Sequence, residues 1–331
     1  MDRSMRAAVA STPDSPFEIQ TYPRPIPGPG EVLVRIAASG VNPLDTKIRA
    51  GAAPHARQPL PAILGMDLAG TIVSVGPGVT RFNPGDRVYG MTGGVGGRQG
   101  SLAEFAAVDA RTLALIPKVY SMRQAAALPL AFVTAWEGLV ERVEIKKGDR
   151  VLIQGGAGGV GHVAVQLART FGATVYATAS ARKRDLVESL GAVFIDYAAS
   201  TVDQYVAEHT GGRGFELVFD SVGGAVLDAS FHAVGRYGHV VSALGWGTHS
   251  LAPLSFKEAS YSGIFTLEPL LSGAGLERLG HIMREATLLA DAGLLMPWVD
   301  SRVFTFDTLE AAYEILSKGE SAGKLVVDIS P

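Results

Sequence analysis

The sequence predicts an α/β protein in two parts, a small irregular partial β-barrel and a doubly wound parallel sheet. Three observations carry that expectation. Between residues 150 and 244, short apolar strands alternate with helical stretches across brief connections. The first third is instead a series of short strands punctuated by Pro and Gly. The length, 331 residues, exceeds what a single hydrophobic core usually organises.

The elements follow in order. A strand is predicted at 32–36 after the turn Pro27-Gly28-Pro29-Gly30, and another at 70–76. The turn Pro84-Gly85-Asp86 feeds a third, and 101–108 alternates loosely enough for a further strand. Ala-rich helical stretches are expected at 122–128 and 131–143. Strands at 150–154, 173–179, 192–197, 217–220 and 239–244 then alternate with helices at 160–171, 182–190, 202–209 and 227–233. Such alternation requires crossover connections and so a parallel sheet. The tail reads as a helix at 276–293, a short strand at 303–306, a helix at 309–317 and a closing strand at 324–329. No repeat of solenoid period is present.

Composition narrows the function. There is no cysteine, which excludes disulfides, Cys-ligated zinc, iron–sulfur clusters and a thiolate nucleophile. Lys and Arg total 29 against 32 Asp and Glu, so no bulk basic field recruits nucleic acid. No apolar run reaches the roughly 18 residues of a membrane span, and the N-terminus lacks the h-region of a secretory leader. A cytoplasmic protein with a small-molecule substrate is the expectation. Glycine is abundant, 40 residues, yet it is scattered rather than gathered into linkers, with knots at 93–100 and 155–161.

The second knot carries the chemistry. Gly156-Ala157-Gly158-Gly159-Val160-Gly161 fits G-x-G-x-x-G, follows a predicted strand and opens a predicted helix. Gly156 permits the tight turn, Gly158 lets a pyrophosphate approach the backbone, and Gly161 lets helix and strand pack closely. This is the dinucleotide fingerprint of a Rossmann domain. The ribose-binding acid expected about 20 residues later is missing from 176–181, and Arg182-Lys183-Arg184 follows at once. Hydroxyls and cations suit a 2′-phosphate where a carboxylate would repel it, so NADP(H) is favoured over NAD(H).

Ordered motifs along almost the whole chain resemble the medium-chain dehydrogenase/reductase superfamily, and within it the zinc-independent quinone oxidoreductase (zeta-crystallin-like) branch. They include Gly40-Val41-Asn42-Pro43-Leu44-Asp45, Gly65-Met66-Asp67-Leu68-Ala69-Gly70 and Pro84-Gly85-Asp86-Arg87-Val88. Further on are Ala126-Ala127-Leu128-Pro129-Leu130, Thr134-Ala135-Trp136, 155–161, Leu190-Gly191-Ala192 and Phe219-Asp220-Ser221-Val222-Gly223-Gly224. The resemblance implies a GroES-like catalytic domain of 1–125 and 268–331. It implies a Rossmann NADP(H)-binding domain of 126–267 inserted between them, with the active site in the cleft. It also implies a homodimer joined at the Rossmann sheet edge, with 262–266 as the edge strand.

Site residues follow from the same resemblance. Asn42 faces the nicotinamide and hydrogen-bonds cofactor or substrate carbonyl, Asp45 orients Asn42 or Lys47, and Lys47 is a candidate proton donor. Thr134 contacts the nicotinamide end, and Gly158, Gly159 and Val160 carry the pyrophosphate. Ser180, Lys183 and Tyr197 hold the 2′-phosphate and adenosine ribose. Val222 and Leu244-Gly245 line the adenine and nicotinamide sides, while Phe265, Thr266 and Lys324 form a rim over the nicotinamide. Trp246 and His249, after a strand C-terminus, are candidates for shaping the substrate space together with Met66, Met91 and the 90–100 loop.

Zinc relatives place Cys at Asn42, His-Glu at Met66-Asp67 and a third ligand near Leu130, and they carry a four-Cys lobe where this chain has the short 90–100 loop. The seven histidines show no ligand spacing. The expected activity is therefore metal-independent, NADPH-dependent reduction of quinones or α,β-unsaturated carbonyls. A zinc-free alcohol or aldehyde reductase, and a cofactor-binding crystallin-like protein with little turnover, stand as alternatives.

Overall fold

A computed structural model describes residues 4–330, which fold into two compact units. One takes 4–130, 267–293 and 297–330; the other takes 131–266 and 294–296.

The first unit begins with strands β1 (Ser4–Ala10) and β2 (Phe17–Pro23), followed by β3 (Glu31–Gly40), helix α1 (Pro43–Arg49), β4 (Ala62–Ile63), β5 (Asp67–Val75), β6 (Arg87–Met91), β7 (Phe105–Asp109) and β8 (Leu113–Leu115). Helix α2 (Met122–Ala126) follows, and α3 (Pro129–Trp136) leads into the second unit. That unit carries β9 (Arg150–Gln154), α4 (Gly161–Thr170), β10 (Thr174–Ala179), α5 (Arg184–Ser189), β11 (Val193–Asp196) and α6 (Val202–Thr210). It continues with β12 (Phe215–Asp220), α7 (Ala225–Ala233), β13 (Val234–Ser242), α8 (Ala252–Ser255) and β14 (Ser260–Gly263). The chain then returns to the first unit through α9 (Glu268–Ser272), α10 (Leu276–Asp291), α11 (Leu309–Ser317) and β15 (Val326–Asp328).

In the first unit an antiparallel sheet runs β15-β3-β5-β6-β8, with β7 also on β3, and a smaller sheet runs β2-β1-β4. Strand β3 pairs along its length with β5, and irregularities at Leu33/Val34 and Ile36/Ala38 bend it. Such bends let a short sheet curl into a partial barrel. Val32, Val34, Ile36, Leu68 and Ile72 form its dry interior.

The second unit is a six-stranded sheet of order β11-β10-β9-β12-β13-β14, every pair parallel. Numbered within the unit this is 3-2-1-4-5-6, the doubly wound Rossmann order, whose direction of winding reverses between β9 and β12. Leu152, Val218, Phe215, Phe231 and Val240 pack its core.

Three expectations need correction. The strand expected at 303–306 is a single bridge from Phe304 to Val327. The amide of Thr305 turns to the Thr308 hydroxyl at 2.9 Å and starts a helical turn instead. The helix expected at 131–143 ends as a wide π turn over Glu137–Glu141. The edge strand expected at 262–266 lies at Ser260–Gly263, because the Phe265 amide leaves the ladder for the buried Glu137 carboxylate at 3.3 Å. The opening strands β1 and β2 and helix α1 went unpredicted.

Candidate active site

Two constellations emerge, one in each unit. The first surrounds Asn42, the residue that opens α1. Its position follows from Asn-Pro, since Pro43 sits where a helix needs no N–H. Asp45 reaches back so that its Oδ2 accepts the Asn42 amide at 3.0 Å, and it also accepts from the Tyr313 hydroxyl at 3.3 Å. The Asn42 side chain is 2% exposed. Its Nδ2 donates to Asp67 Oδ2 at 2.8 Å, and its Oδ1 accepts from the Lys324 ammonium. Lys324 also donates to the Val41 carbonyl at 3.1 Å and lies 3.7 Å from Asp67 Oδ2. The other oxygen of Asp67 accepts the Leu130 amide at 2.8 Å.

Burial dominates the electrostatics here. It raises Asp67 and lowers Lys324, each opposed by the other's charge. The N–H donors on Asp67 and the oxygen acceptors around Lys324 favour the charged forms, so the two stand as an ion pair. Asp45 is pushed up to about 7, chiefly by burial, although the Asn42 amide, Lys324 and Tyr313 pull it down. Its Oδ1 has no partner among the described residues. Burial and the neighbouring Asp45 hold the Tyr313 phenol well above its usual range.

The structure does not bring Lys47 to this cluster. It is exposed on the far face of α1, where it lines an open depression with Asp14, Arg49, Glu310 and Glu314. Lys324, expected on a cofactor rim, is spent on Asn42, Val41 and Asp67. Met66 and Met91 are fully buried in the barrel core rather than at an open surface.

The second constellation lies at the C-terminal ends of the parallel strands, where open α/β sheets bind ligands. Thr178, at the end of β10, donates to Gln154 Oε1 at 2.8 Å and accepts the Gly155 amide at 3.0 Å. Its carbonyl accepts the Gly156 amide at 2.9 Å. A Cβ on Gly156 would lie 2.4 Å from Ala177 Cβ, and one on Gly161 only 2.0 Å from the Gly155 carbonyl. Both glycines are therefore demanded by the fold. Gly158 differs: it is exposed, and a Cβ there would meet only the Gly155 carbonyl, at 3.1 Å. The turn leaves room over Gly158, beside the exposed Gly159 and half-buried Val160, at the start of α4.

Across the reversal point, fully buried Asp220 accepts the amides of Val222 and Gly223 at 3.0 Å and the Ser242 hydroxyl at 2.7 Å. Ser242 in turn accepts the Leu244 amide at 3.0 Å. One carboxylate thus ties down both turns that carry Val222 and Leu244-Gly245. Ser180 and Lys183 are half-buried just beyond β10, and Tyr197 is exposed beyond β11. Thr134 and Thr266 are buried, and Phe265 is half-buried against Trp246, ring centroids 6.3 Å apart. His249 is held by Asp228 at 2.8 Å, which raises its pKa.

Sequence reasoning missed Asp67 and Tyr313 as partners of Asn42 and Asp45, and it missed Gln154, Thr178, Asp220 and Ser242. A signal existed only for Asp220, since Asp-Ser-Val-Gly after a strand is an Asx-turn pattern.

The comparisons with known proteins agree with this geometry. Residues 28–118 match the alcohol dehydrogenase GroES-like domain, and residues 159–273 match the zinc-binding dehydrogenase domain. A solved alcohol dehydrogenase superfamily protein from Novosphingobium aromaticivorans is 56% identical, with a TM-score of 0.97 over 98% of this chain and 100% of that one. The NADPH-dependent alkenal/one oxidoreductase, chloroplastic, of Arabidopsis thaliana is 35% identical over 90% of this chain and 72% of its own length. The 2-methylene-furan-3-one reductase of Solanum lycopersicum is 35% identical over 91% and 72%. The chain also matches two Streptomyces polyketide synthase proteins at 35% and 34% identity, but spans only 13% and 8% of their lengths. This chain belongs to the medium-chain dehydrogenase/reductase superfamily.

The family's zinc does not fit the residues present. Of the corresponding positions, Asn42 and Asp67 are committed to each other and to Lys324, while Met66 and Leu130 offer no suitable donor. Among the described residues no group of three or more His, Cys, Asp or Glu could hold a metal. No helix among them is long and apolar enough to cross a membrane.

Proposed function

We propose that this chain is an NADPH-dependent reductase of α,β-unsaturated carbonyls or quinones. The observation that carries the reading is the turn at 155–161, which opens α4 at the reversal point of the sheet and keeps its space over Gly158. A Cβ would intrude on that space, where among the described residues only the Gly155 carbonyl comes within 4 Å, and a bound pyrophosphate requires such an opening. NADP(H) fits these residues. Gly158, Gly159 and Val160 hold the pyrophosphate on the turn that Gly156 and Gly161 allow, and Ser180, Lys183 and Tyr197 hold the 2′-phosphate and ribose. Val222, Leu244, Gly245, Thr134, Phe265 and Thr266 line the rest. The names of the Arabidopsis and tomato relatives support both the cofactor and the enone class.

When bound, the cofactor supplies a hydride equivalent. Reduction of an enone places that hydride on the β-carbon, moves the electron pair onto the carbonyl oxygen, and is completed by a proton at the α-carbon. What the chain must add is a donor for the oxygen as it gains charge, and Asn42 takes that role. Asp45 fixes the Asn42 backbone rather than touching substrate. Lys47 has no part in this arrangement, and the proton comes from solvent. The protein acts as a homodimer joined along β14.

The test is NADPH oxidation, followed at 340 nm, against a panel of enones, enals and quinones, with NADH and a chelator as parallel arms. Turnover with NADPH that survives chelation is expected. Turnover only with alcohols and NADP⁺ would replace this reading with an alcohol dehydrogenase, and tight NADPH binding without any turnover would replace it with a cofactor-binding protein.

A further inference from the structure

The Asn42 carboxamide is gripped at both ends by opposite charges. The Lys324 ammonium donates to Oδ1, and Asp67 Oδ2 accepts from Nδ2 at 2.8 Å. Rotating the amide by half a turn would set its oxygen against a carboxylate and its NH₂ against an ammonium, so the charges fix its orientation. The grip is itself anchored. Asp67 is held by the Leu130 amide, Lys324 by the Val41 carbonyl, and the Asn42 backbone by Asp45. Gly40 clears the way, since a Cβ there would lie 2.9 Å from the Asp67 carboxylate and 2.3 Å from the Ala126 carbonyl. All three gripped side chains are almost wholly buried: Asn42 at 2%, Asp67 at 0% and Lys324 at 6% exposure.

The consequence is a polarity. Asn42 can meet a ligand carbonyl oxygen, which has no proton to donate to Oδ1, only through its second Nδ2 hydrogen, for which no acceptor exists among the described residues. We propose that the Lys324–Asp67 pair is a clamp that presents Asn42 as a hydrogen-bond donor to a carbonyl oxygen. Lys324 and Asp67 are then positioning residues for the reduction of an enone or quinone. This rests on the activity proposed above. The clamp is not a generic buried ion pair, because its two charges meet through the amide as well as directly.

The experiment is a mutant cycle on the purified full-length chain: wild type, Asn42→Ala, Asp67→Asn/Lys324→Met, and all three substitutions together. Neutralising both charges at once leaves neither buried alone. The expected result is that Asp67→Asn/Lys324→Met lowers kcat for an enone by at least about tenfold, with KM for NADPH unchanged within about twofold. Adding it to Asn42→Ala then costs nothing further. Losses that multiply, or a loss confined to KM for NADPH, would overturn the clamp. If circular dichroism shows that the neutral pair has unfolded, Lys324→Arg takes its place. That variant keeps the charge but displaces the donor, and its kcat loss must vanish on the Asn42→Ala background. A wild type inert toward every enone and quinone would overturn the activity and the clamp together, whereas an active wild type with multiplying losses overturns the clamp alone.

Discussion

Asp45 shows what burial does to a single carboxylate. It caps α1 by accepting the Asn42 amide, yet one of its oxygens is buried without a partner among the described residues, and its pKa is pushed up from 3.8 to about 7. A folded-state pKa above the unfolded value means that the native state binds the proton more tightly. The stability this gives is present in acid and is lost as pH rises through about 7. Asparagine at this position keeps an oxygen for the Asn42 amide and cannot ionise. The melting temperature of Asp45→Asn should therefore gain on that of the wild type as pH rises from 5 to 8. The two pH units between 5 and the folded pKa of about 7 set a ceiling of roughly 3 kcal/mol on the effect over this range. Parallel melts across that range decide it, and a gap that stays constant with pH would show Asp45 to be ionised throughout.

At the scale of the element, the phosphate turn separates two kinds of glycine. Gly161 is required by packing, so Gly161→Ala forces its methyl onto the Gly155 carbonyl and should cost several degrees of melting temperature along with NADPH affinity. On the cofactor reading proposed above, Gly158 is kept for the ligand rather than for packing, so Gly158→Ala should melt within a few degrees of wild type while raising the Kd for NADPH tenfold or more. Paired thermal melts and NADPH fluorescence titrations test both, and equal melting losses would deny the distinction. The contrast also marks how far sequence alone reaches. The Rossmann alternation was legible because each strand is a continuous apolar run bounded by turn residues, and the fingerprint was legible because its spacing is fixed by phosphate geometry. Strands β1 and β2 escaped because neither shows a clean alternation of buried and exposed positions. The motif singled out Asn42 as a candidate, but its contacts with Asp67 and Lys324 could not be read from the sequence. Asp67 and Lys324 lie 25 and 282 positions away, and only the closed barrel brings them together. Lys47, two positions from the buried Asp45, is itself exposed, and a lysine's neighbours in sequence do not reveal which face of a short helix it occupies.

At the scale of the whole molecule, the second unit leaves one problem unsolved within a single chain. Strand β14 pairs with β13 on one side only, so its other side is a row of unpaired backbone groups. Proteins commonly protect such an edge with charge, proline or a covering segment. Here the strand reads Ser-Tyr-Ser-Gly, with no charge and no proline, and Ser260, Tyr261 and Gly263 are exposed. The surrounding segment also exposes Tyr237, Leu251 and Phe256, the last at 87%. An open, uncharged edge with apolar side chains nearby suits the homodimer proposed above, in which β14 of one copy would pair with β14 of a second about a two-fold axis. Under that arrangement Ser260→Lys sets two ammonium groups near the axis and should shift the protein from dimer to monomer at micromolar concentration. Light scattering on the eluting peak measures the mass directly. The variant should retain its melting behaviour and its NADPH binding, because Ser260 is exposed on the edge strand and lies outside the phosphate turn. A wild type that elutes as a monomer, or a variant that remains dimeric, would move the interface away from this edge.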